Sequence, residues 1–367
     1  MQEATPFLLQ NSSPYYQHGS VILTGDSLTI RTTPQAWQYA GIIFRTRNAD
    51  DAARLTCPAI IEVEAQALRG QINISAVKEN GMDMLDEFSL TVTEGLQRKC
   101  LYVPNLAEIE ALIVRNGPEE GQISIAEVKS IRVLENDKSI QSASLRNLSV
   151  YYDLKSYPIS FDFTIFMTVA EAERVARELE MMDVVFIPSN EDSAYRLPQG
   201  YDQAIDSQSR QWRIDNILLE ILALFPTVGS YALAACRLEG LTAKMHAKNA
   251  WPPDYLTSQG AAIHHHYKFL NTDFKPTPQL QGMRALEQGK RYIRQWLENQ
   301  SIQERRLIVI TLRQSPFGPA RNSNLKAWGD FARHLDPDLY FPVIVPDTDV
   351  AMQGTPSEVE GLPILRE

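Results

Sequence analysis

Arg313 closes the apolar run IVITL, and Arg321 follows it across the loop QSPFGPA. Asn322, Ser323 and Asn324 then lead into the helical pattern LKAWGDFARHL. Residues of these types in this order could grip a diphosphate. A guanidinium offers a planar fork to two phosphate oxygens, and a helix N-terminus capped by Asn322 or Ser323 adds unpaired amides and partial positive charge. The alternative is plainer: Arg313 pairs with a nearby carboxylate and Arg321 is solvated. The loop carries neither G-x-G-x-x-G nor G-x-x-x-x-G-K-[ST], so neither a dinucleotide fold nor a P-loop is signalled.

Carboxylates supply the second chemistry. The loop SNEDSAYRLPQGYD follows an apolar strand pattern and places Glu191 and Asp192 where a general base could take a proton from a hydroxyl; a solvated turn is the other reading. Asp347 and Asp349 end the run LYFPVIVPDTD, positioned either to contact ribose or sugar hydroxyls or to cap a loop. Trp37 and Tyr39 stand two apart and could stack on a sugar ring, unless they serve as packing aromatics. Arg115 and Asn116 close another apolar strand before a Gly-Pro turn, which they could stabilise.

Metal chemistry is not indicated. His264, His265 and His266 are consecutive, so their side chains fan apart instead of converging on one ion, and no H-E-x-x-H spacing accompanies them. Cys57, Cys100 and Cys236 lack metal-ligand spacing and are odd in number, which argues against a disulfide framework and leaves only a Cys57–Cys100 contact open.

Composition bounds the partners. The chain has 367 residues and a net charge of -10, with a pI near 5.2. Acidity on this scale speaks against nucleic acid, which selects clustered basic surface. No apolar run is long enough to span a bilayer, and MQEATPFLLQ is not a signal peptide, so a cytoplasmic protein is expected.

The elements that must hold these residues change rhythm along the chain. From residue 19 to 135 the pattern has period two, in segments such as AIIEVEA, GQINISAV and FSLTVTEG, which predicts a β-sandwich of the jelly-roll type. An arm, 1–18, precedes it, and a polar Ser/Asn-rich linker, 136–157, follows. Strands and helices then alternate, predicting a Rossmann-like α/β domain over 158–300 and the start of a second over 301–367. ISFDFTIFM is read there as leading into the first helix. The second domain shows only two strands, so either the chain belongs to a longer protein or the sheet is shared. The fold class is therefore multidomain, β-sandwich followed by α/β.

Two resemblances follow from these residues. The sandwich is similar in architecture to the small jelly-roll modules carried by carbohydrate-active enzymes. The segment RRLIVITLR with RNSNLKAW resembles the start of the nucleotide-sugar domain of GT-B glycosyltransferases, particularly the fucosyltransferase-like branch, where a His-x-Arg or similar motif ends a strand. Thr311-Leu312-Arg313 stands in that motif's place, with threonine instead of histidine. The resemblance spans Ile159 to Asp349 in organisation and about a dozen residues in motif. It implies a metal-independent glycosyltransferase without a cofactor, moving a sugar from a nucleotide diphosphate donor, GDP-linked in that branch, to a glycan acceptor. Arg313, with Arg321, Asn322 and Ser323, would contact the diphosphate, and Glu191 or Asp192 would act as base. The alternative is a non-catalytic carbohydrate-binding or surface-assembly protein with an α/β scaffold. Oligomeric state is not legible.

Overall fold

Strict alternation of apolar and polar residues builds the first half of the chain. A computed structural model describes residues 18–24, 27–45, 59–78, 83–93, 95–103, 108–135, 146–155, 157–189, 207–252, 281–300, 302, 304–315, 318–348 and 354–365. Nine strands come first among the described residues: β1 (Ser20–Thr24), β2 (Ser27–Arg31), β3 (Tyr39–Arg45), β4 (Ala59–Arg69), β5 (Gln71–Val77), β6 (Met84–Thr91), β7 (Gln97–Val103), β8 (Ala111–Asn116) and β9 (Ile125–Glu135). They form two antiparallel sheets, ordered β1-β2-β9-β4-β7 and β3-β8-β5-β6.

The sequence pattern explains the pairing. In β4, Ile61, Val63, Ala65 and Ala67 face inward, and they meet Ile72 and Ile74 of β5, Phe88 and Leu90 of β6, and Leu112 and Val114 of β8 in one buried core. Each of the Ile, Val, Leu and Phe side chains contributes about 1.5–3 kcal/mol on burial, and each Ala methyl less. A one-residue slip in any strand would turn its apolar set to the other face. The chain crosses from β4 in one sheet to β5 in the other at Gly70, whose φ is 65°, and a Cβ there would collide with Ser124.

The second half builds a parallel sheet. Its strands are β10 (Leu148–Asp153), β11 (Met182–Ile187), β12 (Val228–Leu233) and β13 (Ala250–Trp251), in the order β12-β11-β10-β13. Helices alternate with them: α1 (Phe163–Ala176), a π-helical turn (Ile214–Leu218) continued by α3 (Leu219–Ala223), and α4 (Arg237–His246), while α2 (Ser207–Arg213), which precedes that turn in the chain, belongs up to Trp212 to the second unit described below. One sheet face meets α1 through an aromatic cluster in which Tyr152 lies 4.6 Å from Phe163 and 4.8 Å from Phe166, centroid to centroid. The opposite face sends Tyr151 and Ile187 into a buried cluster with Leu241 and Met245 of α4 and with Ile60, Cys100 and Tyr102 of the sandwich. The sandwich and the parallel sheet thus share a core.

Two expectations change here. The residues taken for a linker contain β10, whose six residues are all buried, the pattern of a strand covered on both faces. Residues 136–145 lie outside those described. ISFDFTIFM does not merely lead into the first helix but contains its start: α1 begins at Phe163 and buries Phe163, Phe166, Met167 and Ala170, a helical spacing that the run of β-formers conceals.

The chain divides into two compact units, Met1–Arg196 with Arg213–Met283, and Leu197–Trp212 with Arg284–Glu367. In the second lie α5 (Glu287–Asn299), β14 (Arg306–Thr311), α6 (Leu325–His334) and β15 (Tyr340–Val345). The two strands pair in parallel, and Ile310, Leu312, Ala332, Ile344 and Val359 form the small core between sheet, helix and C-terminal segment. Helix α5, placed by its sequence with the first α/β domain, belongs to this unit.

Candidate functional site

Trp37 occupies the turn between β2 and β3, with its side chain 47% exposed and its φ at 59°. A non-glycine residue in the left-handed region costs about 1–2 kcal/mol, so its surroundings must hold it there. Asn116, at the end of β8, does much of this. Its Oδ1 accepts from Thr32 Oγ1 (2.9 Å) and Ser124 Oγ (2.8 Å), and its Nδ2 donates to the carbonyls of Thr33 (2.9 Å), Gln35 (3.1 Å) and Gln122 (2.8 Å). The Ala36 amide donates to Glu120 Oε2 at 2.9 Å, and the Trp37 amide to the Gly117 carbonyl at 3.1 Å. Asn116 is thus a turn-holding residue.

Arg115, one residue earlier, turns to the sheet face opposite the core. Its guanidinium carbon lies 5.6 Å from the centre of the Trp37 ring, within cation–π range. One of its terminal nitrogens donates to Glu87 Oε2, which also accepts from Ser75 Oγ at 2.5 Å. The register explains the meeting: Arg115 stands opposite Asn73, and Ser75 opposite Glu87. Beside them Ser89 Oγ donates to Asn73 Oδ1 at 2.5 Å, and Asn73 Nδ2 donates to the Asn116 carbonyl at 3.2 Å. Glu87 is buried, which is tolerable only because a cation and a hydroxyl satisfy it. Burial lowers the Arg115 pKa below its ordinary value, and its Nε has no hydrogen-bond partner. Among the described residues the Trp37 ring and Ser89 are exposed, as are Glu119 and Glu120 in the acidic turn that follows β8.

Trp37 and Tyr39 sit differently in the fold, though both adjoin Arg115, which stands opposite Tyr39 in the β3–β8 ladder and lies over the Trp37 ring. Tyr39 opens β3 and packs half-buried against the cluster of Ile42, Val77, Ala111 and Ile113, while Trp37 stands in the turn before the strand. Asn73, Ser75, Glu87 and Ser89 were not singled out from the sequence, although their alternation within QINISAV and DEFSLT places them on one face.

The loop after β14 is a second cluster. The Arg313 amide donates to Ser323 Oγ and the Ser323 amide returns to the Arg313 carbonyl, both at 2.9 Å. Arg313 Nη1 donates to the Gly318 carbonyl (3.1 Å) and to Asn322 Oδ1 (2.5 Å). Asn322 also spans the loop to Ser315, accepting from its amide and donating to its carbonyl at 3.1 Å each. The cap of α6 is neither Asn322 nor Ser323: Asn324 accepts from the Ala327 amide at 3.0 Å, because the helix starts at Leu325 and the two preceding residues are engaged in the loop. Asp347 Oδ2 accepts from the Gln314 amide at 2.9 Å and so links the ends of β14 and β15. Arg321 is exposed, with its Nε 3.2 Å from where a Cβ at Gly318 would stand. Glu191, Asp192, Asp349, the three histidines and Cys57 lie outside the described residues.

A third cluster sits at the carboxyl end of the parallel sheet, where open α/β sheets place their ligands. Asp153 ends β10 and pairs through both oxygens with Arg237 at the start of α4, at 2.7 and 2.8 Å. The Lys155 amide donates to Asp153 Oδ1 at 2.8 Å, and Lys155 Nζ donates to Asp86 Oδ1 of the sandwich at 2.5 Å. Asp86 Oδ2 accepts from the Tyr102 amide at 2.9 Å. Two carboxylates thus meet two cations in a buried setting. Burial pulls the Lys155 pKa down, while for Arg237 burial is outweighed by Asp153 and the pKa rises. Cys100, nearby, is pushed up to about 12 by burial.

Among the described residues no group of three or more His, Cys, Asp or Glu is arranged to hold a metal ion, and no helix is long and apolar enough to cross a membrane. No family model and no curated protein matches the chain. Solved structures of carbohydrate-binding modules do. A family 4 module matches at 11% identity, covering 33% of this chain and 92% of its own, with a TM-score of 0.24. A family 29 module matches at 10%, covering 37% and 90%, with a TM-score of 0.26. A mutant family 29 module complexed with mannohexaose matches at 10%, covering 37% and 93%, also with a TM-score of 0.26. Values this low transfer no function. The two antiparallel sheets and the parallel strands behind them define the chain on their own terms: it is an N-terminal antiparallel β-sandwich followed by a parallel α/β region.

Proposed function

We propose that the chain binds glycan through the sandwich, at the face around Trp37. One observation carries this reading: a large aromatic ring is held in solvent at a φ of 59°, a conformation that disfavours it and that a buried asparagine network imposes. Strain maintained at an exposed side chain indicates a role outside folding. An aromatic ring in water suits the apolar face of a pyranose, and the hydroxyl of Ser89 suits the sugar's own hydroxyls. Calorimetric titration of the full chain with mannohexaose and cellohexaose tests it. Trp37→Ala should weaken binding at least tenfold, equivalent to about 1.4 kcal/mol. Equal affinity of wild type and variant would end the proposal.

A second reading, transfer of a sugar from a nucleotide diphosphate to a glycan acceptor, is favoured by one feature of the other unit. Arg313 and Arg321 both lie against Gly318, at the carboxyl end of β14, and bring two guanidinium groups to one loop ahead of a helix. In this reading they hold the donor diphosphate with Asn322 and Ser323, Asp347 and Asp349 reach ribose or sugar hydroxyls, and Glu191 or Asp192 serves as base. Titration with GDP, UDP and dTDP decides. Arg313→Ala should abolish any such binding and Arg313→Lys should restore little of it, because an ammonium cannot reproduce the fork. If none of the three nucleotides binds wild type, this reading fails.

A further inference from the structure

We infer that the Trp37 face selects uncharged glycans and that Glu120 is the residue that enforces the selection. This rests on the glycan-binding reading above. A site for uronic or sulfated sugars needs a cation whose charge is available to the ligand. Arg115, the guanidinium stacked on Trp37, is already neutralised by Glu87, which lies on the strand beyond β5 and is itself buried. It also covers one face of the indole, so the ring presents its other face to a single pyranose.

The charge next to that ring is negative. Glu120 is exposed, and its carboxylate is fixed beside Trp37 by the 2.9 Å bond from the Ala36 amide, the residue immediately before the tryptophan. Glu119 is exposed next to it, and the whole chain carries -10. A fixed carboxylate at the rim of a stacking platform costs an uncharged sugar nothing and repels a carboxylated one. Glu120 therefore does two things with one side chain: it holds the turn that presents Trp37, and it sets the sign of what may approach.

The test compares full-length protein with mannohexaose, cellohexaose and an oligogalacturonate of matched length, at low and high salt. An uncharged oligosaccharide should bind with affinity changing less than twofold between the two salt conditions. The oligogalacturonate should bind more than tenfold more weakly at low salt, with the gap narrowing as salt screens the repulsion. Glu120→Gln keeps an acceptor for the Ala36 amide and removes the charge, so it should raise oligogalacturonate affinity several-fold relative to that of the uncharged ligand measured on the same variant. Glu119→Gln, a substitution at the neighbouring exposed position, serves as the second variant if Glu120→Gln lowers the melting temperature. Oligogalacturonate binding as tight as, or tighter than, the uncharged ligands in a Trp37-dependent manner would overturn the selectivity and leave the site standing. Binding of neither class, or binding indifferent to Trp37→Ala, would overturn the site itself.

Discussion

Asp86 and Glu87 are consecutive residues of β6 that serve opposite faces of one strand. Asp86 holds Lys155, beyond the sandwich, at 2.5 Å, while Glu87 holds Arg115 beneath Trp37. A strand's two-residue period makes this division unavoidable for neighbours. The sandwich is consequently tied to the parallel sheet by ions as well as by the shared cluster of Ile60, Cys100, Tyr102, Tyr151 and Leu241.

Removing one partner of that tie exposes its cost. Asp86→Asn leaves the Lys155 ammonium, one-fifth exposed, without its carboxylate and should destabilise the protein by about 3 kcal/mol. Scanning calorimetry should show the unit made of sandwich and parallel sheet melting in one transition that moves down as a whole. A variant whose sandwich melts early while the rest holds its wild-type temperature would contradict the shared core.

The same lysine predicts a pH dependence. Burial lowers its pKa in the folded protein below the 10.5 of an ordinary lysine, with Asp86 opposing. Between those values the unfolded chain binds the proton more tightly, so stability from this group rises with pH across that window, and its cost is fully present below it. Arginine never deprotonates in this range. Denaturant melts of wild type and Lys155→Arg, taken from about pH 8 to about pH 10, should therefore diverge in favour of wild type. Parallel curves would refute the burial of a charged lysine.

Backbone strain at Trp37 can be separated from its ring. Trp37→Ala and Trp37→Gly both remove the indole, but only glycine adopts a φ of 59° without penalty. The glycine variant should be the more stable of the two by roughly 1 kcal/mol. Should alanine prove equal or better, the turn does not impose the conformation described.

Thiol chemistry offers a check on burial. With Cys57 replaced by serine, alkylation of the folded protein near pH 8 should label Cys236, which is exposed, and spare Cys100, whose thiol is buried and pushed up to about 12. Rapid labelling of both before unfolding would show that the cluster around Cys100 opens.

Much of the fold was legible because alternation is a local signal. AIIEVEA announces β4 by itself, and the α/β rhythm announces the second half. Leu148–Asp153 escaped because polar neighbours surround it and because a strand buried on both faces has no alternation to show. The candidate site was half legible. Trp37 stood out by residue type, but Glu87, Ser75 and Asn73 looked like the solvent-facing half of ordinary strands. Only the pairing of β5 with β6 and β8 brings them under one arginine, and register is not written in any single strand. Likewise the loop at Arg313 was found, yet its cap fell one residue beyond the pair expected, since side chains that close the loop cannot also cap the helix.

The seam between sandwich and parallel sheet also has a place in time. Tyr102 is synthesised roughly 140 residues before Met245, which at about 5–20 residues per second leaves an interval of ~7–28 seconds. During that interval the nine strands can close their inner core, while Ile60, Cys100 and Tyr102 stay bare on the outer face. A nascent chain paused between the two halves would therefore present an apolar stripe to the ribosome exit, where a chaperone could bind it or another nascent chain stick to it, until α4 emerges and lies down on it.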